Sequence, residues 1–385
     1  MESDNKLFLL DAYALIYRAY YAFIKNPRIN SKGFNTSAIL GFVNTLEEVL
    51  KKENPSHIGV AFDPSGPTFR HEAFEQYKAQ REETPEAIRL SVPIIKDIIH
   101  AYRIPILEVA GYEADDVIGT LATEAGRQGI TTYMMTPDKD YGQLVTDNVF
   151  MYRPKHTGGF EVMGIEEVKA KFDIQSPAQV IDMLGLMGDA SDNIPGCPGV
   201  GEKTAQKLIA EFGSIENLLE HTDQLKGALK TKVETNKELI TFSKFLATIK
   251  IDVPIQLEMD KLVREQADED SLRQIFEELE FRTLIDRVLK KENSAGGVTM
   301  ATGSKTATAK SAPSPLPLFP EEGGAIQGDL FANFTGNEAG EAKKSNLETL
   351  ETLNCDYQLI DTEKKRAEII QKLLTSKILS LDTET

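Results

Sequence analysis

The chain has 385 residues, of which 60 are acidic and 43 are lysine or arginine, giving a formal net charge of −17. This length predicts two or three domains with substantial hydrophobic cores. The sequence contains no run of about 18 apolar residues, so no membrane span is predicted, and its first residues lack the pattern of a signal peptide. Net charge leaves a nucleic-acid partner open, because a basic stripe can lie on an acidic protein.

Only two cysteines are present, Cys197 and Cys355, and they lie far apart in the sequence. Their number and spacing exclude a disulfide framework and a thiolate zinc site. The sequence therefore indicates a reduced, cytoplasmic protein.

Short apolar runs alternate with helical patterns over residues 1–165. Strands are predicted, in chain order, at Lys6–Leu10, His57–Phe62, Ile104–Val109, Ile130–Met135 and Phe150–Arg153. Helices are predicted between them at Ser37–Lys52, Pro93–Tyr102 and Tyr112–Gln128. This alternation predicts an α/β fold in which a central mixed, mostly parallel sheet is flanked by helices.

The rest of the chain changes character twice. Residues 166–291 are almost wholly helical in pattern. Residues 292–346 are rich in Gly, Ser, Ala, Thr and Pro, which predicts a flexible linker because they bury too little apolar surface to offset their ordering entropy. Residues 347–385 return to a strand–helix–strand pattern. We expect these last residues to be the start of a further α/β domain, truncated at Thr385.

Several acidic residues directly follow predicted strands, which is where an α/β sheet binds its ligands. Asp11 and Asp63 end the first two strands, and Asp138 and Asp140 follow the strand at Ile130–Met135. Open α/β sheets bind ligands outside the carboxyl ends of their strands. Two further groups of acids follow. Glu113, Asp115 and Asp116 begin a predicted helix, and Asp189 and Asp192 lie in a predicted loop.

Nine acids in one cleft repel one another unless cations neutralise them. Ligand sets made only of oxygen suit Mg²⁺ or Mn²⁺. Two such ions about 4 Å apart stabilise both the attacking and the leaving oxygen when a phosphodiester is cleaved. The alternative is that each acid is an ordinary helix cap or turn former, but five groups in this order favour a metal site.

Five spaced motifs resemble the 5′-nuclease (flap endonuclease) family over residues 6 to about 290. They are Phe62-Asp-Pro-Ser-Gly-Pro-Thr-Phe-Arg-His-Glu72, Gly111-Tyr-Glu-Ala-Asp-Asp116, Thr136-Pro-Asp-Lys-Asp140, Gly188-Asp-Ala-Ser-Asp-Asn-Ile-Pro-Gly196 and Gly199-Val-Gly-Glu-Lys-Thr-Ala205. The resemblance implies a PIN-like fold and two divalent-ion sites. It assigns one site to Asp11, Asp63, Glu113, Asp115 and Asp116, and the other to Asp138, Asp140, Asp189 and Asp192, with Asp138 between the two.

Basic and aromatic residues alternate between Phe69 and Arg81. Aromatic rings can stack an unpaired base while cations hold phosphate, although an amphipathic surface helix has the same pattern. The resemblance implies a helical arch over the active site at about residues 64–92. It makes Lys78 a catalytic residue, beside Asp138 and Asp116, and it makes Arg70, Tyr77 and Arg81 DNA contacts.

A glycine-rich turn precedes a helix predicted at Ala205–Phe212, and its spacing differs from that of a nucleotide-binding P-loop. Backbone N–H groups at such a turn can bind phosphate. The resemblance implies a helix–turn–helix clamp on duplex DNA at residues 185–213, with a bound K⁺. Its backbone contacts are assigned to Gly199, Gly201, Lys203 and Thr204.

Two short motifs lie near the end of the chain. Asp382 and Glu384 follow an apolar run, which resembles the first motif of the 3′→5′ proofreading exonuclease fold, related to RNase H. Gln327, Leu330 and Phe331 resemble a peptide that docks replication proteins on the sliding clamp, although a linker hydrophobe without a partner has the same pattern.

The expected function is Mg²⁺- or Mn²⁺-dependent removal of 5′ flaps and RNA primers from double-stranded DNA at nicks. The expected protein is monomeric, bacterial, cytoplasmic and associated with the nucleoid, and it is part of a longer DNA polymerase. One alternative is a catalytically silent binder of DNA junctions, which the complete set of nine acids disfavours. A metal-dependent RNase on a related sheet is disfavoured by the glycine-rich turn and the arch.

Overall fold

The structure is a computed structural model, and it describes residues 5–155 and 158–289. The predicted linker at 292–346 and the predicted exonuclease-like segment at 347–385 lie outside the described residues. The same is true of the proofreading motif and the sliding-clamp motif, which comprise Asp382, Glu384, Gln327, Leu330 and Phe331.

One six-stranded sheet organises the first half of the chain. Its strands are β1 (Lys6–Asp11), β2 (His57–Ala61), β3 (Ile106–Leu107), β4 (Thr131–Met135), β5 (Val149–Pro154) and β6 (Phe160–Met163). The spatial order is β3-β2-β1-β4-β5-β6, and only β6 runs antiparallel to its neighbour. The predicted fold class is therefore confirmed. Strand order reverses between β1 and β4, which makes their carboxyl ends the expected binding edge.

Five helices accompany these strands. They are α1 (Ala12–Ala22), α2 (Ser37–Lys52), α3 (Phe69–Ala73), α4 (Glu86–Ala101) and α5 (Ala114–Arg127). Side chains of β1 alternate between two hydrophobic cores, with Leu7 and Leu9 in the core beside α5, and Phe8 and Leu10 in the core beside α2. This alternation follows from the two-residue period of a strand. Both faces of the sheet are therefore covered, and the site forms at its edge.

The described residues after β6 form helices joined by turns and irregular segments. They form α6 (Ile165–Phe172), α7 (Gln179–Met187), α8 (Glu202–Phe212), α9 (Ile215–Glu220), α10 (Gly227–Thr235), α11 (Lys237–Ala247), α12 (Met259–Leu262), α13 (Glu269–Glu278) and α14 (Arg282–Leu289). Leu272 and Phe276 of α13 are fully buried in the core that also contains α2 and α4. The end of the helical region therefore packs back on the sheet. None of the helices in the described ranges is long and apolar enough to cross a membrane.

The segment expected to form a helical arch is only partly helical. Within residues 64–92, α3 has five residues, turns follow, and α4 begins at Glu86. Lys78 lies in these turns with a φ of 56°, a left-handed backbone that interrupts a helix. Helix α4 starts directly after Pro85 rather than at Pro93, which lies inside it. We name residues 74–85 the strap.

Candidate metal centre

Asp11 and Asp63 reach the sheet edge from neighbouring strands. Asp11 is the last residue of β1, and its Oδ1 caps α1 by accepting from the amide of Ala14 at 3.1 Å. Its Oδ2 accepts from the hydroxyls of Thr136 at 3.1 Å and Tyr141 at 3.2 Å. Asp63 follows β2 and accepts from the amide of Ala114 at 2.7 Å. The parallel register of β1 and β2 therefore brings both carboxylates beside the start of α5.

Three acids lie at the amino end of α5. Carboxylate oxygens of Glu113, Asp115 and Asp116 all lie within 4.8 Å of one another, close enough to bind one ion together. Asp116 is fully buried and accepts from the amide of Glu113 at 3.1 Å, which closes a reciprocal cap. The helix dipole favours negative charge at this end. The same residues therefore cap α5 and form part of the candidate metal centre.

Asp138 and Asp140 follow β4 at the start of a 3₁₀ helix, Lys139–Leu144. Asp138 caps that helix by accepting from the amide of Asp140 at 3.0 Å. Oδ1 of Asp140 is buried and has no hydrogen-bond partner among the described residues. A buried carboxylate oxygen without a donor is costly, so this position fits a cation ligand.

The loop between α7 and α8 carries Asp189 and Asp192. Gly188 and Gly196 close its base with φ values of 73° and 62°. A Cβ at Gly196 would lie 2.3 Å from the amide nitrogen of Gly188, so side chains are excluded there. Oδ1 of Asp189 accepts from the amide of Ser191 at 2.7 Å, which turns the loop inward.

The nine predicted acids form one electrostatic cluster. Burial, together with the neighbouring carboxylates of Asp63 and Asp138, raises the pKa of Asp11 to about 7. Burial also raises the pKa of Asp63, Asp115, Asp138 and Asp140. Asp138 interacts with Asp11 on one side and with Asp189 and Asp192 on the other. These carboxylates are held together against their own repulsion, which fits a centre that binds divalent cations.

The structure places Arg70 inside the protein. Its side chain is 1% exposed, and its guanidinium pairs with Glu113 at 2.9 Å and with both oxygens of Asp116 at 2.8 Å. Its other donors bind backbone carbonyl groups. The guanidinium contacts protein groups in this arrangement, and a phosphate contact of Arg70 stays a prediction. Arg70 instead neutralises the acids of α5.

The strap lies across the loop that carries Asp192. Lys78 binds Glu113 at 2.6 Å and lies 3.6 Å from Asp192, and Arg81 pairs with Asp192. Burial alone would raise the pKa of Asp192, but Lys78 and Arg81 outweigh it and lower that pKa to about 2. Lys78 and Arg81 are thus brought to the acid cluster.

Tyr77 of the strap is buried, with 3% of its surface exposed. Its hydroxyl donates to Glu113 at 2.9 Å and to Asp192 at 3.1 Å. His71 packs edge-on against the ring of Tyr77 at 5.2 Å, and stacking of this ring on a DNA base stays a prediction.

The residues predicted to grip a duplex lie together at the start of α8. Gly199, Gly201 and Lys203 are exposed, and Thr204 is half-buried. The amino end of α8 is exposed at Gly201 and Lys203, and the amino end of a helix suits phosphate. Unlike Arg70 and Tyr77, these residues are open to a ligand.

The sequence interpretation missed several residues of the site. Tyr141 donates to Asp11 and is fully buried, and no motif marked it. Lys232 of α10 donates to the carbonyl of Gly199 at 3.2 Å and so adds a cation to the glycine-rich turn. Tyr13, Tyr17 and Tyr21 form a row along α1 with centroid distances of 6.5 and 6.3 Å. Their four-residue spacing directly after Asp11 was the available signal.

Two family models match successive parts of the chain. Residues 6–173 match the 5′-3′ exonuclease N-terminal resolvase-like domain. Residues 175–270 match the 5′-3′ exonuclease C-terminal SAM fold.

The chain is also similar to curated bacterial proteins. It is 43% identical over 291 residues to DNA polymerase I of Bacillus subtilis, covering 75% of this chain and 33% of that protein. It is 40% identical over 287 residues to DNA polymerase I of Bacillus caldotenax, covering 74% and 32%. The chain therefore spans about a third of the length of the curated relatives that it matches.

A solved structure has the same fold. A bacteriophage T5 flap endonuclease, in a complex with DNA and metal ions, matches 72% of this chain and 100% of its own chain. The TM-score is 0.52 at 22% sequence identity. The likeness supports the arrangement of sheet and helices described above.

Proposed function

The chain belongs to the 5′-3′ exonuclease family, and from this premise we propose that it hydrolyses phosphodiesters near the 5′ ends of strands in duplex DNA. The substrates are 5′ flaps and RNA primers at nicks and junctions. Such a reaction serves DNA repair and the maturation of the lagging strand.

One observation carries the proposal: acids from five separate segments meet at one edge of the sheet, burial raises the pKa of five of these acids, and Oδ1 of Asp140 has no hydrogen-bond partner among the described residues. Structural acids are normally paired with cations or donors. Clusters of carboxylates that outnumber the neighbouring lysine and arginine side chains are typical of sites that bind divalent ions.

The oxygen-only ligand set fits Mg²⁺ or Mn²⁺, two per site. One ion is assigned to Asp11, Asp63, Glu113, Asp115 and Asp116, and the other to Asp138, Asp140, Asp189 and Asp192. When bound, these ions supply Lewis-acid polarisation of the phosphate and activation of water. The protein orients the ligands: Thr136 and Tyr141 hold Asp11, and the amide of Ala114 holds Asp63.

Lys78 supplies a positive charge to the same site. In the structure its ammonium pairs with Glu113, one of the proposed ligands. From this position the Lys78 ammonium would stabilise the developing negative charge of the scissile phosphate. Arg81, which pairs with Asp192, assists on the same strap.

Duplex DNA is bound at the start of α8. Gly199, Gly201, Lys203 and Thr204 contact the phosphate backbone, and Lys232 adds charge beside them. Backbone contacts position a duplex without reading its sequence, which suits an enzyme that recognises a junction by shape. A K⁺ ion at this turn is part of the proposal.

The full-length protein is proposed to be a DNA-directed DNA polymerase, because the relatives are named DNA polymerase I and are about three times longer than the matched region. The proposal places it in the bacterial cytoplasm at the nucleoid, as a monomer that also binds the sliding clamp through its linker.

Cleavage of a labelled 5′-flap duplex tests the function. We expect Mg²⁺-dependent cleavage that EDTA abolishes and that Asp138→Ala reduces by at least about 100-fold, because that carboxylate serves both ion sites. A flap-free duplex without nicks is the substrate control.

The same assay separates the alternative function. Mg²⁺-independent binding of the flap without cleavage would indicate a catalytically silent junction binder. Equal cleavage in Mg²⁺, in EDTA and by Asp138→Ala would refute the two-ion mechanism.

A further inference from the structure

Residues 246–250 form the end of α11 and the chain directly after it, and we name them the tie segment. Its carbonyls at Leu246 and Thr248 each accept from the guanidinium of Arg70 at 2.9 Å. The same guanidinium binds Glu113 and Asp116 at 2.8–2.9 Å. The amide of Lys250 donates to Asp116 at 2.8 Å. The tie segment therefore holds the acids of α5 by three separate connections.

The intervening residues of the tie segment hold the other acid group. Nε2 of Gln143 donates to the carbonyl of Ala247 at 3.0 Å, and its Oε1 accepts from the amide of Ile249 at 2.9 Å. Nε2 also donates to the carbonyl of Asp140 at 3.0 Å. Gln143 belongs to the 3₁₀ helix Lys139–Leu144, which Asp138 caps. Residues 246, 248 and 250 of the tie segment are thus connected to the acids of α5. Residues 247 and 249 are connected through Gln143 to the 3₁₀ helix that carries Asp140.

Helix α11 also contacts the third acid-bearing segment. The hydroxyl of Ser243 accepts from the amide of Gly196 at 3.0 Å, and both groups are buried. Gly196 closes the loop that carries Asp189 and Asp192. Helix α11 and the tie segment therefore contact all three acid-bearing segments other than the ends of β1 and β2. These segments are the start of α5, the 3₁₀ helix and the loop between α7 and α8.

These contacts satisfy groups that a helix end leaves open. The last carbonyls of an α-helix have no partner within the helix, and a cation there is favoured by the helix dipole. Arg70 and Gln143 supply the missing donors and carry the connection onward to the acids. The guanidinium does so with a rigid fork that a lysine cannot reproduce.

We propose that Arg70 and Gln143 are positioning residues that set the separation of the two ion sites by fixing both acid groups to the tie segment. The inference rests on the proposed function for its chemistry. Its physical content is ligand placement, since neither side chain needs to touch substrate. Partners that orient metal ligands in this way commonly change metal affinity by about 10–100-fold when they are removed.

Manganese binding without DNA tests the proposal directly. Mn²⁺ affinity is measured by calorimetry for the wild type, Arg70→Lys and Gln143→Met, each at a temperature where circular dichroism shows it folded. We expect each variant to weaken Mn²⁺ binding by about 10–100-fold. The half-saturating Mg²⁺ concentration for flap cleavage rises in parallel, and added Mg²⁺ restores most of kcat.

Arg264→Lys is the matched control, because Arg264 also donates to a backbone carbonyl, that of Leu50, and its other side-chain partner is Asn54 rather than an acid of the cluster. Its Mn²⁺ affinity should equal that of the wild type. If Arg70→Lys does not fold, Gln143→Met decides the question.

Two results separate the inference from the proposed function. Mn²⁺ affinities and half-saturating Mg²⁺ concentrations within twofold of the wild type overturn the inference, even if the variants melt earlier. A wild-type protein that binds Mn²⁺ but leaves flaps intact overturns the proposed function, and weakened Mn²⁺ binding by the variants then still supports the positioning role.

Discussion

At the scale of single residues, the candidate metal centre is made of acids that also perform ordinary local tasks. Asp11 caps α1, Glu113 caps α5 and Asp138 caps the 3₁₀ helix. The roles of helix cap and metal ligand are therefore compatible, because in Asp11 and Asp138 the capping amide occupies only Oδ1. What distinguishes the set is burial of several carboxylates together.

The raised pKa of Asp11 predicts a pH dependence of the metal-free protein. A carboxyl whose folded-state pKa is about 7 and whose ordinary value is 3.8 binds protons more tightly when folded. Its stabilising contribution is full below about pH 4 and is lost as the pH rises through 7. Asp11→Asn should flatten the dependence of unfolding free energy on pH between 4 and 7, by up to about 4 kcal/mol.

Urea unfolding in EDTA at several pH values measures this effect. The exposed residue Asp252 provides a control in Asp252→Asn. A wild-type curve that is as flat as that of Asp11→Asn would contradict the prediction.

Replacing Lys78 tests the proposed charge stabilisation. Lys78→Met should lower kcat for flap cleavage by about 100–1000-fold, because one aligned cation near a developing charge contributes about that much. Flap affinity measured in Ca²⁺ should change far less. Lys169→Met removes a lysine that pairs with Glu166 at 2.9 Å on α6 and should cleave normally. Equal losses of kcat and affinity would assign Lys78 to binding alone.

At the scale of elements, the strap and the α7–α8 loop are joined to each other by hydrogen bonds beside the acids. The amide of Lys78 donates to the carbonyl of Asp192 at 3.0 Å, and Gln80 donates to the carbonyl of Ala190 at 2.6 Å. The loop itself depends on two glycines, because their backbones approach too closely for side chains. The strap, loop and tie segment together determine where the acids lie.

Substitution of Gly196 tests the loop. Gly196→Ala places a methyl group 2.3 Å from the amide nitrogen of Gly188 and forces a φ of 62° on alanine. We expect a loss of about 2–4 kcal/mol in unfolding free energy, measured by urea titration. Gly201→Ala is the control, since no atom lies within 4 Å of its added Cβ. A loss below about 1 kcal/mol in both variants would show that the loop relaxes.

At the scale of the whole molecule, acidic charge is concentrated where cations are proposed to bind, and exposed lysines lie elsewhere. Nine of the 60 acidic residues form the cluster, whereas Lys203 and the neighbouring Lys207 of α8 are exposed. An acidic protein can therefore bind a polyanion, because the local field at the contact matters more than the total charge.

Cations should stabilise the fold as a whole. Mg²⁺ at 100 times its dissociation constant should add about 2.7 kcal/mol to the unfolding free energy per site. Thermal unfolding in Mg²⁺ and in EDTA measures the difference, with Asp140→Asn as the variant that should lose much of it. Identical melting of the wild type in both buffers would exclude a functional metal centre at these acids.

The class of fold could be predicted from the sequence, and the sequence also marked the acids of the candidate site. Strand and helix periodicity predicted β1, β2, β4 and α2 within one or two residues, because these segments are buried on defined faces. The pattern of β6 was not recognised, since its residues are mostly half-exposed at the sheet edge. The regularly spaced motifs were sufficient to indicate the family.

The contacts of the cations and aromatic residues could be found only in the folded structure. Arg70 and Tyr77 have the composition of a DNA contact, yet folding buries both against Glu113. Gln143 and Tyr141 have no sequence signal at all, because their partners, Ala247 and Asp11, are more than 100 residues away. Local sequence encodes the ends of helices and the buried faces of strands. Long-range packing determines which charged side chains pair with each other, and these pairs form the site.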